Sequence, residues 1–375
     1  MLLMNAGMAH NSNAVADDHA GADWLLPRRR HPYYIVAPRY VRMSAGIKVL
    51  HLLCHALNRA GERAYLITHP YCLPQYATHP ELITPVLTRA TLEHDFASGL
   101  APIVVYPETV HGNPFNAPFV VRYVLNFPGL LGGDFQYDED EFCIAYSENL
   151  AGSIPSARLT LFVPASDPQT FSPVPEQERR GTCFYAGKYK YHHGGELFDI
   201  TRDSTEITRD LPDSPTQPQI ADLFRRSELL YCYENSALAI EALLCGCPVV
   251  FLPNPYFDRV IAAEELGWDG IAWGTDPDEI ARAKHTVHLA RDNFLHHFDV
   301  FYEALGEFIA STQSEADGRR YETPIAVPYL RDTNLVLKIG GVLEIVRSFY
   351  QQKGGLKTAG QVLKRISQRG LRFFP

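Results

Sequence analysis

The chain has 375 residues, enough for two domains of ordinary size. With 46% hydrophobic and 21% charged residues, its composition is that of a soluble globular protein, and no apolar run approaches the roughly 20 residues of a membrane span. The formal charge of −9 hides an asymmetry: between Arg331 and Pro375 nine Lys and Arg residues face only Asp332 and Glu344, so the body is strongly acidic and a poor partner for nucleic acid.

Residues 1–30 read as a flexible leader. They lack the basic start and apolar block of a secretory signal, and Asp17, Asp18 and Asp23 interrupt them. Tyr33 to Ala37 is a first strand, and Ile47, Leu50, Leu53, Cys54 and Leu57 recur at helical spacing before a strand at Ala64 to Ile67. The intervening Ser44-Ala45-Gly46 turn lets a ligand approach the backbone. No G-x-G-x-x-G accompanies it, which counts against a dinucleotide oxidoreductase. Residues 68–100 give little signal. Ile103 to Tyr106 is another strand, and Glu108 and His111 just beyond it are acid–base or acceptor-orienting candidates. Ala117 to Leu125 reads as a helix carrying Arg122. Asp138-Glu139-Asp140 reads as part of a solvated acidic loop rather than a metal site, because it follows no convincing strand.

Strands follow at Phe142 to Tyr146 and Arg158 to Val163. Prolines then crowd a linker at 166–180. It divides an amino-terminal domain, 31–165, from a carboxyl-terminal domain, 181–325. The second domain opens with a strand at Thr182 to Gly187, followed by the loop lysines Lys188 and Lys190. Pro277 to Ala290 and Leu295 to Ile309 read as two amphipathic helices. The basic tail, 326–375, holds two amphipathic pieces: the first reads as packing on the domains, and for 357–375 packing and contact with an anionic membrane surface stand as alternatives. The seven cysteines have no zinc-ligand spacing and read as buried thiols of a reducing cytoplasm.

The most informative stretch is Glu228 to Leu252. Leu229 to Tyr233 is a strand, Asn235 and Ser236 are helix-start residues, Ala237 to Cys245 is a helix, Gly246 stops it, and Val249 to Leu252 is a second strand. A helix starting at the carboxyl end of a parallel strand offers free N–H groups to an anion. Glu234 and Glu241 lie beside that point, and carboxylates suit the hydroxyls of a ribose or hexose better than a phosphate.

The run Glu234-Asn-Ser-Ala-Leu-Ala-Ile-Glu241-Ala-Leu-Leu-Cys-Gly246-Cys-Pro248-Val249 resembles the nucleotide-sugar motif of bacterial polysaccharide or O-antigen glycosyltransferases of the GT-B fold. Six residues separate the glutamates where the family has seven, and Tyr233 stands where the first glutamate falls. The resemblance implies an α/β chain of two Rossmann-like domains facing a cleft. It implies a metal-independent transferase without cofactor, moving a hexose or deoxyhexose from a nucleotide-sugar to a hydroxyl of a glycan or lipid-linked glycan. It also implies that Asn235, Ser236 and Ala237 hold the diphosphate, Glu241 the ribose, Glu234 the sugar, and Lys188 or Lys190 the leaving phosphates. The Gly46 turn would lie at the cleft. A sugar-nucleotide epimerase or hydrolase of the same fold, and a non-catalytic scaffold, remain as alternatives.

Overall fold

The computed structural model describes residues 30–209, 214–327 and 330. The described residues from His31 onward belong to one compact unit containing two parallel sheets. The expected 1–30 leader and 326–375 tail, with the membrane contact expected at 357–375, lie outside the described residues except at their inner edges.

The first sheet comprises β1 (Tyr33–Ala37), β2 (Ala64–Thr68), β3 (Ile103–Pro107), β4 (Phe119–Val124), β5 (Phe142–Ala145) and β6 (Ala157–Thr160). Their order is β2-β1-β3-β4-β5-β6, every pair parallel. All residues of β1, β3 and β4 are buried, as unbroken apolar runs require in a sheet covered on both faces. The covering helix α1 (Ala45–Arg59) inserts Val49, Leu50, Leu53, Cys54 and Leu57 against Ile35, Leu66 and Val105. Ser44 caps it by accepting from the Ile47 N–H. Helices α2 (Pro74–Ala77) and α3 (Arg89–Ala97) occupy the stretch that gave no sequence signal.

Ala117 to Leu125 is not a helix. Its β-branched and aromatic run is strand β4, paired between β3 and β5. Arg122 is fully buried there. Its Nε and Nη2 donate to the two carboxylate oxygens of Glu141, each at 2.8 Å, and Nη1 and Nη2 donate to the carbonyls of Val110 and Gly112 at 2.7 and 2.8 Å. This bidentate pair fixes the loop that follows β3.

The second sheet comprises β7 (Thr182–Tyr185), β8 (Thr205–Glu206), β9 (Leu229–Cys232), β10 (Val249–Phe251) and β11 (Ile271–Trp273), in the order β11-β10-β9-β7-β8, again all parallel. Between the sheets α4 (Glu148–Ala151) covers β5. Around the second sheet lie α5 (Gly187–Tyr191), α6 (Gln217–Arg226), α7 (Ala237–Leu244) and α8 (Ala263–Leu266). Lys188 and Lys190 therefore lie on a short helix rather than on an open loop. The proline-rich connection is pinned to the second half. Arg225 donates to the carbonyls of Thr170 and Ser172, Arg291 to those of Pro168 and Phe171, and Phe171 is fully buried.

The two expected helices after Pro277 are one, α9 (Pro277–Asp317), 41 residues long. Nothing between Ala290 and Leu295 breaks it, since Arg291, Asp292 and Asn293 are tolerated within a helix. Its first half packs Ala290 and Phe294 into the core of the second sheet. Its second half packs Phe301, Leu305, Phe308 and Ala316 into the core of the first. The Tyr33 hydroxyl hydrogen-bonds the Thr312 hydroxyl at 2.8 Å. All seven cysteines are buried and free. Among the described residues no helix is long and apolar enough to cross a membrane.

Candidate active site

In a parallel sheet a crevice opens where successive connections leave in opposite directions. In the first sheet that point lies beyond β1 and β3, and in the second beyond β7 and β9. The loop before α1 and the residue Glu108 stand at the first. Gly187, Lys188 and Glu234 to Ser236 stand at the second.

Groups from the two halves meet around Glu241, which lies in the second turn of α7 with 3% of its surface exposed. Its Oε1 is 3.9 Å from Nζ of Lys48 on α1, and its Oε2 accepts from Nη2 of Arg209 at 3.3 Å. Arg209, just past β8, also donates through Nη1 to the Met43 carbonyl at 3.0 Å, and Lys48 donates to the Ala165 carbonyl at 3.1 Å. Burial pushes the Glu241 carboxyl up, opposed by the charges of Arg209, Lys48 and Arg42. Burial pulls the Lys48 ammonium down, opposed by Glu241. Lys48, Arg209 and the exposed Arg42 thus surround the Glu241 carboxylate, with the exposed Asp167 also acting on Lys48. Lys48, Arg209 and Arg42 were not singled out in the sequence. The one available signal was a lysine in the first turn of the helix directly after the loop that follows β1.

Glu234 has another partner. Its Oε2 accepts from the backbone N–H groups of Lys188 and Tyr189 at 2.8 and 3.3 Å, so it satisfies the amino end of α5. Burial pushes this carboxyl up, while the Lys188 charge and the two N–H groups hold it down. Gly187 has φ +41°, and a Cβ there would come 2.5 Å from Glu234 Oε1 and 2.7 Å from the Tyr185 ring, so glycine is required. Tyr233, the residue in place of the family's first glutamate, is fully buried. Its hydroxyl accepts from the Phe198 N–H and bonds Thr201 Oγ1, both at 2.8 Å, and its ring stacks on Tyr189.

Ser236 caps α7 by accepting from the Leu238 N–H at 3.2 Å, and Ala237 is the first helical residue. The Asn235 side chain ties down the loop after β10, accepting from the Ile261 N–H and donating to the Arg259 carbonyl. Lys190 forms an ion pair with Glu206 at 2.6 Å. Lys188 is exposed, and its ammonium has no ion partner among the described residues. Gly46 lies in the first turn of α1 against Leu125.

Glu108 is 3% exposed at the end of β3. Its Oε2 accepts from the Leu125 N–H at 3.0 Å. Burial pushes its carboxyl up to about 7, against the pull of that N–H and of the Arg122 and Lys188 charges. The effect of Lys188 places a cation of the second half near this acid of the first. His111 is different: it is exposed, and its Nδ1 meets Asp134 at 2.8 Å, with the Gly112 N–H donating to the same carboxylate. The structure thus separates two residues that the sequence grouped. Asp138, Glu139 and Asp140 are exposed, as the solvated-loop reading required.

Two parallel Rossmann-like sheets, with groups beyond their carboxyl ends meeting between them and a helix shared by both, define the GT-B architecture. No protein-family model matches the chain, and no curated protein sequence matches it. Solved structures similar to it include a glycosyltransferase from Rickettsia africae, 11% identical, covering 78% of this chain and 99% of that one at a TM-score of 0.45. The glycosyltransferase SnogD from Streptomyces nogalater is 14% identical, covering 77% and 100% at 0.40. WaaG, a glycosyltransferase involved in lipopolysaccharide biosynthesis, is 10% identical, covering 74% and 98% at 0.43. The architecture rests on strand order and on the facing switch points, not on these likenesses.

Proposed function

We propose that the chain is a glycosyltransferase that moves a sugar from a nucleoside diphosphate to a hydroxyl of an acceptor. The observation that carries this reading is the cluster of Lys48, Arg209 and Glu241, which sets cations and a buried carboxylate from both halves around one crevice. Cations and the amino end of α7 suit a diphosphate, and a neighbouring carboxylate suits the hydroxyls of its ribose. Residues 31–165 would carry the acceptor and 181–325 the donor.

Glu108 is then the general base. Held near neutrality, it takes the proton of the acceptor hydroxyl as that oxygen bonds to the anomeric carbon. The bond from that carbon to the phosphate oxygen breaks, and its electron pair leaves with the nucleoside diphosphate. Lys48, Arg209, Arg42 and Lys188 stabilise the charge that develops there, and no metal ion is invoked. Closure of the halves would exclude water, which competes as acceptor. A hexose or deoxyhexose donor, and a bacterial surface glycan made at the cytoplasmic side, are the finer assignments. Their support is the likeness of the Glu234 to Val249 run to the family motif. The scaffold alternative drew its support from Tyr233, whose identity packing explains.

Calorimetric titration of the full chain with UDP, GDP and TDP tests the reading. Saturable binding of one of them, weakened in Glu241→Ala, is expected. Absence of binding to all three removes the donor site and the function with it.

A further inference from the structure

The loop between β4 and β5 does more than connect them. Gly129 and Gly132 bridge each other, and the Phe135 ring lies where a Cβ on Gly129 would fall. Gly133, at φ +80°, lies so close to the Glu108 carbonyl that a Cβ there would be 1.8 Å from its oxygen. The loop is therefore folded onto the proposed base. It presents Leu130, Leu131 and Phe135 outward, at 61%, 47% and 78% exposure. Further along, the Tyr137 ring lies 5.3 Å from the Arg122 guanidinium, and its hydroxyl is buried without a hydrogen-bond partner among the described residues. A buried hydroxyl without a partner is costly, and a ligand that bonds it recovers that loss. The contact of Gly133 with the Glu108 backbone holds the loop that carries Tyr137 against that acid, and burial and then the Glu108 charge push the phenol up.

We propose that Tyr137 is a second acceptor-contacting residue and that this loop selects an amphiphilic acceptor: its hydroxyl lies between Glu108 and the Tyr137 phenol, and its apolar part lies on Leu130, Leu131 and Phe135. The inference rests on the glycosyltransferase reading. The hydroxyl donates to the Glu108 carboxylate and accepts from the phenol, which fixes the direction of its remaining lone pair. The exposed carboxylates Asp138, Glu139 and Asp140 flank the apolar residues and repel anionic head groups. The occupant is thus a single uncharged molecule with a hydroxylated head and an apolar tail or ring, rather than an anionic lipid surface.

The probes are monomeric n-octyl-β-D-glucoside, glucose and n-octyl sulfate, titrated calorimetrically into the full chain. The glucoside should bind saturably, at least tenfold tighter than glucose and tighter than the sulfate. Tyr137→Phe should weaken the glucoside at least fivefold while leaving nucleoside diphosphate affinity within twofold and the thermal midpoint at or above that of wild type. The triple variant Leu130→Ser/Leu131→Ser/Phe135→Ser should bind the glucoside no better than glucose. Absence of glucoside binding, equal binding by Tyr137→Phe, or tighter binding of the sulfate overturns the inference. Failure of the underlying reading is recognised separately, because the wild-type chain would then bind no nucleoside diphosphate.

Discussion

Lys48 and Glu241 face each other at 3.9 Å, one on the helix after β1 and the other on the helix after β9, both nearly sealed from water. With Arg209 the pair forms the charged seam between the halves. Removing one member of a buried pair leaves the others uncompensated, at a cost of about 3–5 kcal/mol. Glu241→Ala should therefore lower stability by about 3 kcal/mol in urea melts and weaken nucleoside diphosphate binding about tenfold. Adding Lys48→Met should recover part of the stability but none of the affinity, since the ribose partner is still missing.

Glu108 gives a pH signature with a defined sign. Its carboxyl is near 7 when folded and 4.5 ordinarily, so between these values the unfolded chain gives up its proton first. The stability it contributes is present below pH 4.5 and lost as pH rises through 7, about 3 kcal/mol in all. Glu108→Gln should match wild type at pH 4 and exceed it by about 2–3 kcal/mol at pH 8. Turnover moves the opposite way: in wild type it should rise with pH through 7, and in Glu108→Gln it should fall about a hundredfold or more and lose that limb.

Glu234 serves the amino end of α5, and Gly187 gives it room. Glu234→Ala should cost about 1–2 kcal/mol, the range for losing a helix cap. Gly187→Ala should cost more, because its Cβ meets both Glu234 and Tyr185 in a left-handed backbone. Thermal melts of the two variants order the effects.

Arg122→Lys keeps the charge but cannot span both oxygens of Glu141 and the carbonyls of Val110 and Gly112. It should destabilise the chain by about 3 kcal/mol and speed amide exchange at residues 108–113.

Runs such as YYIVA and IVVY announced the parallel strands because strands buried on both faces are unbroken apolar segments. The start and the end of α7 were legible from Ser236 and Gly246, whose roles are local. Strand β4 was not, because Arg122 suits a strand interior only with Glu141, 19 residues away, to neutralise it. The charged seam was hidden for the same reason: Lys48 and Glu241 are far apart in sequence, and only the packing of two helices joins them. His111 looked like a companion of Glu108 by proximity alone, yet the turn between them sends one inward and the other to Asp134.

Helix α9 spans roughly 60 Å at 1.5 Å per residue, and it begins beside β11 and ends against Tyr33. The first half therefore borrows part of its interior from a helix that follows the second half in sequence. A fragment ending near residue 180 would bare the greasy surface that Phe301, Leu305 and Phe308 cover, and would aggregate on its own. The complementary fragment would carry those side chains into water with nothing to cover them. Neither half is a portable module, and grafting the donor-side half onto a foreign partner would have to bring a replacement floor for this shared rod.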